Sequence, residues 1–284
     1  WSPDFSSIWS FKVWVAAAGQ IFFTLSLGMG SIHCYASYLN AKEDIALNAM
    51  TAGWMNEFVE VVLGSAIIIP ISVGFLGIDA ISKMVSGGSG LGIGFAVLPQ
   101  LFSSWGWFGT LSGLMWFGLL FFAGITSSMA MGTPLIGFMR DNFSWKDKQG
   151  AYLFGALIFV FGIPTVLSQD AFNEYDYWAG TVSLVVFAMV EIVLFAWVLG
   201  MDKAWDEITR GADIKVPLIF KYVIKYVSPV FLIIVFVGAL PDIIKNATAP
   251  TSFYGWLGRA MLLILFIGIA VLVSVAKRKQ LKSK

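Results

Sequence analysis

Residues 13–39 read VWVAAAGQIFFTLSLGMGSIHCYASYL. Two apolar pieces, each about half of what a bilayer crossing needs, flank a centre crowded with Thr24, Ser26, Gly28 and Gly30. Small and hydroxyl-bearing residues at that density suit an interrupted helix. Unwinding leaves backbone N–H and C=O groups unpaired, and hydrocarbon cannot satisfy them, so they must face protein, a polar ligand or an ion. The two half-helix ends also carry opposite partial charges, suited to a carboxylate and a cation. The competing reading is a close helix–helix contact through small residues.

The rest of the chain makes membrane the right solvent for that segment. Of 284 residues, 58% are hydrophobic and only 12% charged, where a soluble domain carries about a quarter charged residues. A nucleic-acid partner is excluded by the charge balance, +1 overall, because such partners need a basic excess. One cysteine, Cys34, cannot form an intramolecular disulfide or a Cys-based zinc site, and one histidine, His33, cannot build a His-rich metal centre. Enzyme templates also fail: the chain has no GxSxG, and GMGS has no phosphate-loop context, so no enzymatic activity is expected.

Runs long enough to cross the hydrocarbon core fall at about 13–39, 45–75, 105–139, 147–168, 177–200, 216–240 and 253–277. Stretches such as SLVVFAMVEIVLFAWVLG lack the alternation of barrel strands, so the expected fold is all-α, with seven spans of which the first is broken. Basic residues orient it. Lys42, the 140–148 and 203–225 groups and the tail from Lys277 to Lys284 fall on one side; Lys12, Lys83, Lys245 and Arg259 fall on the other. The first side reads as cytoplasmic, which puts the N-terminal end outside and the C-terminal end inside a multi-pass cell-membrane protein. Residues 76–103 suggest an outer helical hairpin hinged on GGSGLG. DKAWDEITR (202–210) suggests a short amphipathic cytoplasmic helix with Asp202 as its N-cap.

Polar residues inside the spans mark candidate sites. Asn56 and Glu60, four apart, share a helix face, and a charge at bilayer depth costs at least about 2.5 kcal/mol, so Glu60 should face a partner or cavity unless it lies at the interface. Ala123, Thr126 and Ser127 offer a carbonyl and two hydroxyls to a hard cation, against the alternative that the hydroxyls bond back to their own helix. Glu191 is a deep acid with no partner evident in the sequence. His33, Phe22, Phe23, Met29 and Met131 read as packing residues.

GQIFFTLSLGMG, YASY, NEFVEVVLG, the loop from Ser89-Gly90, LFFAGITSSMAM, YDYWAGT and DKAWDEI together resemble the bacterial neurotransmitter:sodium symporters, over essentially the whole chain. The resemblance implies a LeuT-type transporter fold, with this chain as helices 6–12 of twelve. Residues 13–200 would form the second inverted repeat, and 201–284 a cytoplasmic helix and two peripheral spans, all within one transmembrane domain. Trp1, in place of an initiator Met, would then lie in the loop before helix 6. Half of the binding site would belong to a missing N-terminal half of the same chain, and these residues alone would not transport.

Carried over residue by residue, the resemblance implies that Phe23, Thr24, Ser26, Met29, Ser127 and Met131 contact a small amino-acid substrate. Two sodium ions are implied as co-transported partners, one held by Thr24 and Asn56 and the other by the Ala123 carbonyl, Thr126 and Ser127. Asp176 matches the outer gate, and Asp141 and Tyr38 the inner gate. Methionines at 29 and 131 are adaptable, which suits a larger hydrophobic substrate, including aromatic ones. Glu60, with Gln20 and Thr24 as neighbours, stands where chloride-dependent relatives carry serine, which implies chloride independence and a proton route through Glu60. The function implied is sodium-coupled symport of neutral hydrophobic L-amino acids. The alternative is a non-transporting amino-acid sensor or membrane assembly subunit that keeps the fold. Nothing in the sequence sets the oligomeric state.

Overall fold

A computed structural model describes residues 5–86 and 93–282; the GGSGLG hinge expected at 87–92 lies outside them. Among the described residues the regular elements are helical. Helix α1 (Phe11–Thr24) and the short α2 (Ser31–Ala36) carry the opening segment. They are followed by α3 (Ile45–Leu76), α4 (Ile78–Ser86), α5 (Leu98–Ser103), α6 (Trp107–Phe143), α7 (Asp147–Leu167) and α8 (Gln169–Val198). Helices α9 (Met201–Thr209), α10 (Ile219–Thr248) and α11 (Phe253–Lys282) complete the chain. Two compact units divide the chain, residues 50–130 in one and 1–49 with 131–284 in the other.

Six of these helices are long and apolar enough to cross a membrane: α3, α6, α7, α8, α10 and α11. Their outward side chains, Leu114 and Phe159 among them, are strongly exposed, as apolar groups are where lipid is the solvent. The expected first span is two pieces, α1 and α2, joined through residues 25–30. Two boundaries move by eight residues, the largest shifts. Helix α8 starts at Gln169, eight residues before the expected 177, because Ser168 is extended and the polar run QDAFNEY winds directly onto the apolar part. Helix α10 continues to Thr248 rather than 240, carrying Pro241 inside it.

In the larger unit, α1 packs against α8 and α10 through Val15, Val185, Val235 and Ala239, with Ala18 and Phe22 alongside. Gly19 permits the approach to α8, since a Cβ there would meet the Thr181 side chain at 2.9 Å. Trp14 closes the seam edge-on against Phe231, 5.2 Å between ring centres. The amphipathic helix expected at 202–210 is present as α9, and Met201, Ala204 and Trp205 bury its apolar face with Ala196. Asp202 is not its N-cap. Gly200, at φ 93°, turns the chain two residues earlier, so Asp202 falls in the first turn and pairs with Lys221 at 2.7 Å. That hydrogen bond holds the Asp202 carboxyl below its ordinary range.

Several long helices contain wider, i→i+5 turns, at Phe58–Gly64 in α3 and at Asp176–Ser183 and Leu194–Val198 in α8. Such turns are uncommon and gather at functional positions. The first holds Glu60 and the second begins at Asp176.

Candidate functional site

The break in the opening segment is built from three left-handed residues at alternate positions. Ser26, Gly28 and Gly30 have φ of 56°, 75° and 75°. Helix α1 ends in a Schellman motif: the Leu27 N–H donates to the Phe22 carbonyl at 2.8 Å and the Ser26 N–H to the Phe23 carbonyl at 3.1 Å. Ser26 occupies the left-handed position that glycine usually fills. The next free donor is claimed from far along the chain, where Glu191 Oε2 accepts the Gly28 N–H at 3.0 Å. A Cβ on Gly28 would meet the Leu184 carbonyl oxygen at 2.9 Å, so glycine here serves both the backbone angle and the approach to α8.

Glu191 therefore has the partner that its sequence context does not reveal. His33, read from sequence as a packing residue, is not one: its imidazole is 66% exposed, and Nδ1 lies 3.7 Å from Glu191 Oε1.

Phe23, Met29 and Met131 converge on one cavity of about 450 Å³, closed from α8 by Phe172, Tyr175, Asp176, Ala179, Gly180 and Leu184. Three of the expected substrate contacts and the expected outer-gate acid thus line a common space. Its lining is apolar and aromatic apart from the Asp176 carboxylate and the phenol of Tyr175, whose oxygen is buried and makes no hydrogen bond. Such a chamber selects an apolar side chain and leaves polar groups to fix orientation. Ser26 does not line it; its role in the fold is to end α1.

A second cavity, of about 640 Å³, contains the expected inner-gate pair Tyr38 and Asp141, together with His33, Arg140, Asp147 and Lys148. Arg140, which the sequence reading left aside, occupies the acid: its Nε donates to Asp141 Oδ1 at 3.1 Å, and its Nη1 lies 3.7 Å from Asp147. In the same unit the chain is tied down by Asp44, whose Oδ1 accepts the Leu47 N–H and whose Oδ2 accepts the Asp213 N–H, both at 2.8 Å. These two donors, Leu47 first, hold the Asp44 carboxyl below its usual range. Gly211 packs against the Lys42 and Glu43 carbonyls with no room for a side chain.

The expected cation ligands fall into separate groups. Thr24 lies in the larger unit and Asn56 in the smaller. Thr24 Oγ1 donates to the Ile21 carbonyl at 3.1 Å, and Asn56 Nδ2 donates to Glu60 Oε2 at 3.3 Å, so the shared face expected of Asn56 and Glu60 is realised. On α6, Thr126 Oγ1 donates to the Phe122 and Ala123 carbonyls, both at 3.0 Å. The back-bonding alternative weighed for Thr126 is thus the arrangement present, and one of its acceptors is the Ala123 carbonyl itself. Among the described residues no three His, Cys, Asp or Glu gather as a transition-metal site would require.

Discontinuous helices of this kind are a recurring feature of secondary transporters. The whole sequence, residues 1–284, matches the model of the sodium:neurotransmitter symporter family. The chain belongs to that family. Among curated relatives it is 31% identical to an uncharacterized sodium-dependent transporter of Methanocaldococcus jannaschii, over 98% of this chain and 56% of that protein. It is 25% identical to the sodium-dependent nutrient amino acid transporter 1 of Drosophila grimshawi, over 85% of this chain and 38% of that one. Among solved structures it matches MhsT in complex with L-phenylalanine, with a TM-score of 0.73 and 28% identity, covering 84% of this chain and 54% of MhsT. The chain spans between 38% and 56% of the length of these relatives, and its fold is the LeuT-type fold of the symporter family. This is a family of secondary transporters and not of enzymes.

Within this symporter fold, sequence reasoning missed Phe172 and Tyr175 as cavity walls. Their signal was available: Phe172, Tyr175, Asp176 and Ala179 recur at helical spacing and so share one face of α8. Starting that span at 177 hid the pattern.

Proposed function

We propose that this chain works as part of a sodium-coupled symporter of neutral, hydrophobic L-amino acids. The observation that carries this is the cavity in which Phe23, from the last turn of α1, and Met29, within the break, line a common space with Met131 and Asp176. A flexible methionine pair beside Phe172 adapts to a large side chain, and MhsT, solved with L-phenylalanine, supports an aromatic substrate for this chain as well. The relatives named as sodium-dependent amino-acid transporters support the coupling ion. In this reading α1 and α2 are the two halves of one span, which with α3, α6, α7, α8, α10 and α11 makes seven, and the first five spans form the second inverted repeat. The N-terminal end lies outside and the C-terminal end in the cytoplasm. Sodium moving inward supplies about 2.3 kcal/mol per charge per 100 mV, in addition to its concentration gradient.

Two sodium ions, as co-transported substrates, are assigned to Thr24 with Asn56 and to the Ala123 carbonyl with Thr126 and Ser127. The second set is ready to exchange an internal hydrogen bond for an ion, since Thr126 need only rotate its hydroxyl proton away. Uptake of labelled phenylalanine by the full-length protein in liposomes should require an inward sodium gradient, and Thr126→Ala with Ser127→Ala should abolish that dependence or raise the sodium requirement more than tenfold. Uptake with unchanged sodium dependence in this pair would remove the site. Binding without uptake would favour the sensor reading.

In this reading the Glu60 carboxylate, which accepts from Asn56 Nδ2, takes the place of a bound chloride. Replacing chloride by gluconate should therefore leave uptake within about twofold of its original rate, and a large loss would overturn chloride independence.

A further inference from the structure

The Glu191 carboxylate divides its two oxygens between two parts of the broken segment. Oε2 accepts the Gly28 N–H at 3.0 Å, and Oε1 faces His33 Nδ1 at 3.7 Å. Gly28 sits in the turn and His33 on α2, so one side chain of α8 grips both sides of the left-handed residue Gly30. At 3.7 Å a neutral imidazole makes no hydrogen bond worth counting. A protonated one at the same distance attracts the carboxylate through a partly desolvated medium, where charges interact several times more strongly than in water. The grip thus depends on the proton held by His33.

The imidazole is 66% exposed and opens into the cavity of about 640 Å³, while Glu191 is only 28% exposed. The other titratable or charged groups around that cavity are Cys34 and Tyr38 from the His33 segment, Arg140 and Asp141 from the end of α6, and Asp147 and Lys148 from the start of α7. Arg140 is engaged by Asp141 and Asp147.

We propose that His33 is a positioning residue that acts through Glu191 on the unwound turn, tightening residues 25–31 when the imidazole is protonated and loosening them when it is neutral. The role rests on reading this segment as the transporter's broken helix, and it adds a proton-sensitive hold on that helix from the cavity shared with the inner-gate pair. The sign follows from the distances. A charged imidazole opposite the carboxylate tightens the hold and a neutral one releases it, so the hold weakens as pH rises.

Amide hydrogen exchange tests this without relying on transport. The full-length protein in lipid nanodiscs is followed from about pH 5.5 to 8.5, and each rate for residues 25–31 is divided by the rate of an unstructured peptide at the same pH. Protection should fall about fivefold from the acid to the alkaline end. His33→Gln should give the low value throughout, His33→Arg the high value throughout, and Glu191→Gln should flatten the profile while keeping an acceptor for Gly28. A His33→Gln profile that still follows the wild type, or His33→Arg and His33→Gln profiles that coincide, would overturn the proposal. Sodium-driven uptake is measured on the same preparations. Its absence alongside a pH-dependent profile would count against the transporter reading and not against His33, and the converse result would do the opposite.

Discussion

Glu174→Ala should lower the stability of the protein by about 3–5 kcal/mol, the usual cost of removing one partner from a buried ion pair. Glu174 and Arg259 retain only 13% and 15% exposure, and they meet in a fork, Nη2 to Oε1 at 2.7 Å and Nε to Oε2 at 2.8 Å. Glu174 Oε2 also accepts the Trp178 Nε1–H at 2.8 Å. The remaining donors of Arg259 reach the Asn246, Ala247 and Ala249 carbonyls, at the end of α10 where unpaired carbonyls collect. Its guanidinium also lies over the Trp256 ring, 4.9 Å from the centroid. One arginine on α11 thereby joins α8 and the end of α10. Removing Glu174 leaves this charge without its counter-ion in a site that water reaches poorly. Thermal unfolding in detergent measures the loss, and a double-mutant cycle with Arg259→Met should give a coupling of about 2 kcal/mol or more. Additive losses would mean that the fork contributes nothing beyond its two separate halves.

Gly28→Ala is the second large effect, with an expected loss of about 2–5 kcal/mol and of substrate binding. Two costs combine. An L-residue at φ 75° pays roughly 1–2 kcal/mol in backbone sterics. The added methyl must also displace the α8 backbone, since it would stand 2.9 Å from the Leu184 oxygen and 3.2 Å from the Ala188 nitrogen, and overpacking of this kind costs about 1–3 kcal/mol. Neither neighbour is a flexible side-chain end that could swing aside. Ser26→Gly is the control. It keeps the left-handed geometry of the Schellman turn and should leave stability unchanged or slightly higher. Unfolding temperature and phenylalanine affinity, measured on both variants of the full-length protein, separate the two positions. Equal behaviour of Gly28→Ala and wild type would show that α8 does not hold the turn in the way its contacts imply.

These effects also separate what local sequence carries from what it does not. The break near residue 26 was legible because left-handed backbone is open mainly to glycine and small polar residues, and Ser26, Gly28 and Gly30 stand together in an otherwise apolar run. The long helices were legible because hydropathy over some twenty residues is a local property. The Asn56–Glu60 pair was legible because four-residue spacing places side chains together on any helix. Where the reading slipped, another local feature was misweighed: Gly200 rather than Asp202 opens α9, and a polar first turn extends α8 back to Gln169.

The anchors of the site had no such signature. Glu191 meets Gly28 across 163 residues, and Arg259 meets Glu174 across 85. Arg140 stands next to Asp141 in the chain, yet adjacency alone does not say whether it turns to that carboxylate or to solvent. The sequence alone determined a membrane-embedded helical protein with a broken segment, because those follow from composition, periodicity and backbone sterics within a few turns; the family resemblance rested on whole motifs such as NEFVEVVLG and YDYWAGT. Only the tertiary structure decided that Glu191 holds the break, that His33 faces it, and that Phe172 and Tyr175 wall the cavity. Which distant groups satisfy a buried donor or charge depends on how whole helices pack, and no local stretch encodes that choice.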